Sequence, residues 1–385
     1  MRVSRRGTVD PFIVMDVIKA AQDAEDAGKN IIHMEVGQPG TAAPKAARLA
    51  LEKAMRDNPL GYSVTLGLTE LRARIAKLYD EWYGIDLDPE RVVVTPGSSG
   101  GFLLAFSSLF DAGDRVGIGM PGYPSYRQIL KAMSLEPVLL ETSENARFQP
   151  VPQDLDGQEL DGLLVASPAN PSGTMLDKAE LAALMEACRS KGAAFISDEI
   201  YHGLEYERPS VSALEIADDA YVVNSFSKYF SMTGWRVGWM VVPEDHVRRV
   251  ERIAQHLFIC ASHASQIAAL AAMDCEEELE ANLDTYAVNR RLMLEGLPKA
   301  GFGRIAPPDG GFYVYADVSH LTDDSLKLAR DLLEHAGVAV TPGHDFDPRR
   351  GKGTLRFSYA AATDDIREGL RRLKDFMTER TATAG

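Results

Sequence analysis

Cysteine is scarce in this chain: Cys188, Cys260 and Cys275 are the three in 385 residues, and none forms a CxxC pair. That scarcity argues against a disulfide framework and for a reducing compartment. Long apolar runs are absent too, and no stretch approaches the ~18 apolar residues of a membrane span. Arg2, Arg5 and Arg6 open the chain, but Gly7-Thr8-Val9-Asp10-Pro11 stands where a signal peptide needs an apolar run. A cytoplasmic protein with no membrane partner is expected. Positive charge is also short, with 41 Lys and Arg against 56 Asp and Glu for a net −15. That balance argues against a nucleic-acid partner and favours solubility. It leaves room for a small anionic ligand, which needs only a local cationic pocket. No internal repeat, low-complexity tract or long linker interrupts the sequence. What remains is ordinary globular material, 45% hydrophobic and 25% charged, long enough for two domains and a sizeable core.

The middle of the chain alternates short apolar runs with amphipathic stretches. Val92-Val93-Val94-Thr95, Arg115 to Gly119, Leu163-Leu164-Val165, Ala194-Phe195-Ile196 and Tyr221-Val222-Val223 read as buried strands. Asp177 to Gly192 reads as a helix. Asp177 is its N-cap with Glu180 three residues on, Leu181, Leu184, Met185 and Cys188 form the apolar face, and Gly192 stops it. Strands alternating with helices imply an α/β fold with a mostly parallel sheet. Ligands in such folds bind beyond the carboxyl ends of the strands. The two ends read as a separate unit. Pro11 to Gly28, Leu292 to Gly301 and Lys327 to Gly337 are helical in pattern, and Gly311 to Tyr315, Val338 to Val340 and Thr354 to Tyr359 are strand-like. The tail from Thr381 reads as frayed.

The polar motifs follow these apolar runs. Lys228 sits in Ser225-Phe226-Ser227-Lys228, and Arg236 follows in Thr233-Gly234-Trp235-Arg236. A lysine between small hydroxyl residues past a strand can form a Schiff base with an aldehyde, and an arginine close by can hold a phosphate. Pyridoxal 5'-phosphate carries both groups. A lone lysine carries no such meaning, since most are solvated surface charge. Pro96-Gly97-Ser98-Ser99-Gly100-Gly101 opens an apolar helix and suits a phosphate, with a flexible turn as the bland alternative. Asp198 in Asp198-Glu199-Ile200-Tyr201 ends a strand, where a carboxylate is costly unless paired. A pyridinium N–H at ~4 Å and an effective dielectric of ~20 would offset about 4 kcal/mol, and a helix N-cap is the alternative. Asn170 in Asn170-Pro171-Ser172-Gly173 is a turn or a donor to a ring oxygen that Tyr201 can share. Tyr123, between Pro121 and Pro124, stacks on a ring or is structural.

Together these segments resemble the fold type I, class I/II aminotransferases, which depend on pyridoxal phosphate. The resemblance begins at Ile32-His33-Met34-Glu35-Val36-Gly37-Gln38-Pro39 and continues through Leu60-Gly61-Tyr62-Ser63 and Gly67-Leu68. It runs on through the Asn170, Asp198 and Lys228 motifs to Trp239 and closes at Arg356-Phe357-Ser358-Tyr359-Ala360. Asp198 precedes Lys228 by 30 residues and Arg236 follows it by 8. The expected architecture is a large cofactor-binding domain over residues 45–284, with a smaller α+β domain built from residues 1–44 and 285–385. The resemblance implies Lys228 as the Schiff-base lysine and proton shuttle, Asp198 on the pyridine nitrogen, and Tyr201 and Asn170 on the ring oxygen. Ser98, Ser99, Gly100, Ser225 and Arg236 would hold the phosphate, with Tyr123 against the ring. Tyr62 would reach the phosphate of a neighbouring subunit, so a homodimer is implied. Arg356 would clamp the substrate α-carboxylate at two points, with Gly37 and Asn170 beside it.

Three look-alikes are set aside. Gly117-Ile118-Gly119-Met120-Pro121-Gly122 matches a dinucleotide fingerprint literally, but its first two glycines lie within a strand, and Pro121 and Pro124 disfavour a helix there. Cys260 and His263 have no partner pair and are expected on an ordinary helix. His344, Asp345 and Asp347 read as a surface loop between Pro342 and Pro348, and no metal is expected. Some aspartate-specific members of the family place a lysine in the Gly-rich loop, whereas this loop holds Ser98, Ser99 and Gly101, then Phe102. The expectation is therefore transfer of an amino group from a neutral amino acid, aromatic or aliphatic, to a 2-oxo acid such as 2-oxoglutarate. A carbon–sulfur β-lyase on the same scaffold is the alternative, and a non-catalytic cofactor-sensing regulator is a third that the acidic charge disfavours.

Overall fold

The computed structural model of the protein describes residues 1–384, with side chains to Arg380. Its centre is a seven-stranded sheet of β1 (Val92–Thr95), β2 (Arg115–Met120), β3 (Glu136–Glu141), β4 (Gly162–Ala166), β5 (Ala194–Asp198), β6 (Tyr221–Ser225) and β7 (Gly238–Val241). The spatial order is β1-β7-β6-β5-β4-β2-β3, and every pairing is parallel except the two that β7 makes. β1, β6 and β7 are buried along their whole length. That explains their continuous apolar runs, since a sheet covered on both faces has no polar side to alternate with.

Register decides where the site lies. Asp198 pairs with Ala166 on one side and Val223 on the other, so β4, β5 and β6 end together. Antiparallel β7 starts where β1 and β6 finish, because Gly238 pairs with both Thr95 and Ser225. The residues before β7 therefore join the loops after β1, β4, β5 and β6 at one edge. This is the carboxyl-end crevice of an open α/β sheet.

The chain ends form a second body around a four-stranded antiparallel sheet, in the order Thr341–Pro342, Thr354–Ser358, Tyr313–Asp317, Arg304–Ile305. Ile32–His33 pairs in parallel with Val338–Ala339, which ties the amino-terminal part to the carboxy-terminal part. The helix Glu276–Lys299 runs straight through residue 284, where the sequence reading divides the two bodies. No described helix is long and apolar enough to cross a membrane.

Several local expectations meet the structure differently. The helix Lys178–Lys191 has the expected capping box between Asp177 and Glu180 and ends at Gly192, φ 69°. β3 and β7 are strands that the sequence reading does not resolve. Gly117 and Gly119 lie inside β2, as the rejection of a dinucleotide loop requires, yet a helix does open at Pro124. Proline is acceptable there because the first helical position has no N–H bond to lose. Cys260 precedes the helix His263–Ala272 rather than lying on it. The loop with His344, Asp345 and Asp347 is no surface loop, since both aspartates are 2% exposed. The helix Thr363–Ala384 extends through most of the tail read as frayed, and Gly385 lies outside the described residues.

The cap on Lys178–Lys191 satisfies both orphan amides reciprocally, at 2.8 Å each way. Asp177→Ala should therefore lower the unfolding free energy by about 1 kcal/mol, read from the urea midpoint. An unchanged midpoint would show that the cap contributes nothing.

Candidate active site

A cavity of about 400 Å³ opens at the shared strand edge, between the two bodies. A larger cleft of about 820 Å³, between Phe148, Arg304 and Asp347, contains none of the converging motif residues. Size therefore does not mark the site, and chemistry does.

Lys228 enters from the turn after β6. Its Nζ donates to the Gly37 carbonyl oxygen at 2.5 Å and lies 5.7 Å from the centre of the Tyr201 ring. Gly37 is required at that point, because a Cβ there would meet the Tyr313 hydroxyl at 2.2 Å. Burial, then the positive charges of Arg356 and Arg236, pull the lysine down to about 7. Asp198 ends β5. Its carboxylate accepts from the Ile200 amide at 3.1 Å and from the Tyr126 hydroxyl. Burial pushes this carboxyl up to about 6 despite those donors. A cation brought against it would reverse that shift.

The helix Gly97–Leu109 begins directly after β1 and presents Ser98 and Ser99 to the cavity. Its first amides have no partner within the helix, and its dipole favours an anion. Arg236 packs beside it. Gly97 has φ 68°, and a Cβ on it would meet the Arg236 guanidinium at 2.5 Å. A Cβ on Gly238 would meet the Gly97 and Ser98 backbone at 3.0 Å. Glycine at both positions lets the guanidinium, the helix start and β7 close together around one spot. Arg236 itself is held in a left-handed conformation, φ 51°, and spends one nitrogen on the Thr233 carbonyl at 2.8 Å.

Arg356 comes from the small sheet and is 2% exposed. It donates to Asn170 Oδ1 at 3.1 Å and to the Glu35 carbonyl oxygen at 2.5 Å. Its guanidinium lies 4.4 Å from the Tyr313 ring centre and 4.8 Å from that of Phe346. Its Nε is buried with no partner, which leaves donor capacity for a carboxylate. Tyr313 also bonds the Tyr201 hydroxyl at 2.9 Å.

Ten of the residues expected from sequence line this one cavity. They are Gly37, Ser98, Ser99, Tyr123, Asn170, Asp198, Tyr201, Lys228, Arg236 and Arg356. Three do not. Ser225 is one layer back, its hydroxyl donating to Ser227 Oγ at 2.8 Å, and Ser227 faces the cavity in its place. Gly100 packs on Pro96, where a Cβ would come within 2.7 Å of the ring. Tyr62 is 82% exposed on the outside of the chain. The sequence reading misses Tyr126, Tyr313 and Thr233. It also misses the apolar wall of Phe12, Val14, Met15 and Ile18, which the amino-terminal helix supplies. The one signal for that wall was the helical pattern of Pro11 to Gly28, which does not say what the helix faces.

The carboxyl-end crevice of this α/β fold thus brings together Lys228, lowered in basicity, the buried Asp198 and the guanidinium groups of Arg236 and Arg356. Residues 29–373 match the family described as aminotransferase class I and II, and the chain belongs to that family. It is 48% identical to the valine–pyruvate aminotransferase of Mycobacterium tuberculosis, over 98% of each chain. It is 32% identical to an aspartate aminotransferase of Sulfurisphaera tokodaii, over 95% of this chain and 94% of that one. A crystal structure from Silicibacter pomeroyi, itself only provisionally assigned as an aminotransferase, superposes with a TM-score of 0.95. That chain is 68% identical, and the match covers 98% of this chain and all of the other. The fold is thus fold type I, as the sequence implied, and the protein is an aminotransferase of this class.

The lowered basicity of Lys228 is directly measurable. Only the neutral amine is nucleophilic, and it is present above the pKa, so lowering the pKa brings reactivity down to lower pH. In protein freed of cofactor, amine-directed labelling of Lys228 should show a midpoint near pH 7, against about 10.4 for an ordinary lysine. Arg356→Leu should move that midpoint upward by removing a neighbouring positive charge. A wild-type midpoint near that of an ordinary lysine would contradict the assignment.

Proposed function

We propose that this chain moves an amino group from a neutral amino acid to a 2-oxo acid such as 2-oxoglutarate, with pyridoxal 5'-phosphate as cofactor. The observation that carries the reading is the charge content of the cavity. Among the described residues its lining has three basic side chains, Lys228, Arg236 and Arg356, and one carboxyl group, Asp198, beside an apolar wall. Bound there, the cofactor supplies an aldehyde for amines and a ring that takes up the electrons left when an α-proton departs.

The residues present fit that group. Ser98, Ser99 and Arg236 form a phosphate seat at a helix start. Asp198 would hold the ring nitrogen protonated, with Tyr126 and the Ile200 amide fixing its carboxylate. Tyr201 and Asn170 would reach the ring oxygen, and Tyr123 would lie against the ring. Lys228, neutral in good part near pH 7, would hold the cofactor and then move the α-proton at Nζ. A pKa near the working pH suits a group that must both take and return a proton. Arg356 would bind the α-carboxylate, with Asn170 orienting one nitrogen and Gly37 placing backbone beside it. Among the described residues no further basic side chain lines the cavity to neutralise a distal carboxylate. The wall of Phe12, Val14, Met15 and Ile18 offers apolar contact instead. We read residues 45–284 as the cofactor-holding body, closed over by the two ends.

The reading includes a cytoplasmic homodimer. Tyr62 and Val64 are exposed at 82% and 62%, close in sequence to exposed Leu49 and Met55. Such a group of exposed apolar side chains fits a second copy, with Tyr62 reaching across to the phosphate.

A donor panel tests the reaction. A charge-assisted bond to a buried carboxylate is worth about 1.5–3 kcal/mol. Arg356→Ala should therefore lower kcat/KM by roughly ten- to over a hundredfold for every α-amino acid, and little for simple amines. Valine and other neutral donors should outrun aspartate in the wild type. Equal losses for amines and amino acids would remove Arg356 from this role. Release of pyruvate and ammonia from a sulfur amino acid without any acceptor would point to elimination instead.

Subunit mixing tests the shared site. Hybrids of Tyr62→Ala and Arg356→Ala chains contain one site with both native residues if Tyr62 crosses the interface. Their activity should exceed that of either parent. Hybrids as weak as both parents would mean self-contained sites.

A further inference from the structure

The helix that carries the apolar wall has no cap of its own. Ile13–Asp26 starts after Phe12, whose side chain makes no capping bond. The missing cap comes from the far end of the chain. Asp345 accepts from the Ile13 amide at 3.0 Å and from the Val14 amide at 2.8 Å, one oxygen each. A carboxylate at this position satisfies two orphan donors and matches the positive end of the helix dipole. Asp345 is 2% exposed and Val14 is 6% exposed, so neither group can fall back on water. Arg127 and Arg356 add favourable positive charge near the carboxylate, and Arg127 is itself buried.

The loop that carries Asp345 is fixed on its other sides. A Cβ on Gly343 would meet Thr354 Oγ1 at 1.8 Å and the Gly351 carbonyl at 2.7 Å, so the loop lies directly on its neighbours. The next residue, Phe346, accepts from the Gly122 amide at 3.0 Å and lays its ring 4.8 Å from the Arg356 guanidinium. One dipeptide, Asp345-Phe346, therefore touches both the apolar wall and the arginine proposed to bind the α-carboxylate. On the proposed reaction, a donor side chain would lie between those two features.

We infer that Asp345 is a positioning residue for donor selectivity, setting the distance from the carboxylate-binding arginine to the apolar wall by capping the wall's helix. This rests on the proposed reaction. Donors whose side chains reach Phe12, Met15 or Ile18 depend on that spacing. Alanine, which is anchored mainly by its α-carboxylate and is too short to use the wall, depends on it far less.

The experiment compares leucine with alanine as donor for the holoenzyme, its Asp345→Ala and Asp345→Asn variants, and Ile18→Ala. A misplaced apolar wall costs on the order of tenfold in discrimination, the size of effect that one methylene has in such a pocket. The leucine-to-alanine ratio of kcat/KM should fall about that much in Asp345→Ala, mostly through KM. Asp345→Asn, which keeps one acceptor oxygen, should lie between, and Ile18→Ala should move the ratio the same way. Amide exchange at residues 13–18 should quicken in Asp345→Ala. A ratio unchanged in both Asp345 variants, whether or not overall activity drops, overturns the role of Asp345. A wild type that turns over neither donor would overturn the proposed reaction instead.

Discussion

Among the described residues three basic side chains face one cavity that holds a single carboxyl group, and the rest of the site depends on that imbalance. Lys228, Arg236 and Arg356 repel one another across a volume of about 400 Å³. The repulsion, added to burial, lowers the lysine to about 7. A ligand with two anionic groups relieves it at both ends. On the proposed reading, this is how a protein of net charge −15 would bind anionic small molecules. Its bulk charge lies outside, and the scaffold gathers positive charge at one strand edge.

Holding these like charges together takes structure. Arg356 is lodged between Tyr313 and Phe346 and tethered to Asn170 and Glu35. Arg236 accepts a left-handed backbone so that its guanidinium can lie against Gly97. Arg356 is thus held on several sides by the protein itself, and Arg236 by its backbone conformation and the Thr233 carbonyl. The antiparallel insertion of β7 is what allows Arg236 to share an edge with Ser98 and Lys228, since it points the start of that strand at the ends of β1 and β6.

The parts of the site that lie in short motifs after apolar runs were legible in the sequence. Asp198 ends a strand, and Lys228, Asn170 and the Gly97-Ser98-Ser99 helix start each follow one by a few residues, so placing the strand places the motif. Contacts between distant segments were not legible. Tyr126 reaches Asp198 from 72 residues away, and Asp345 reaches Val14 from 331 away. Nothing local to either residue marks its partner. Ser225 and Ser227 show a finer limit. Both flank Phe226 as equivalent small hydroxyls, and only the course of the turn after β6 decides that Ser227 faces the cavity. Pro342-Gly343 and Pro348 likewise suggested a surface loop around Asp345, because composition cannot reveal that its carboxylate caps a helix start inside.

The proposed reaction requires Lys228 to be the residue that holds the cofactor. The most direct measurement is borohydride reduction of the purified holoenzyme, followed by peptide mass mapping. The mass of one reduced phosphopyridoxyl group should appear on the peptide containing Ser225-Phe226-Ser227-Lys228 and on no other lysine. Label on a different lysine, or none on this peptide in protein that retains its visible absorbance, would contradict the assignment.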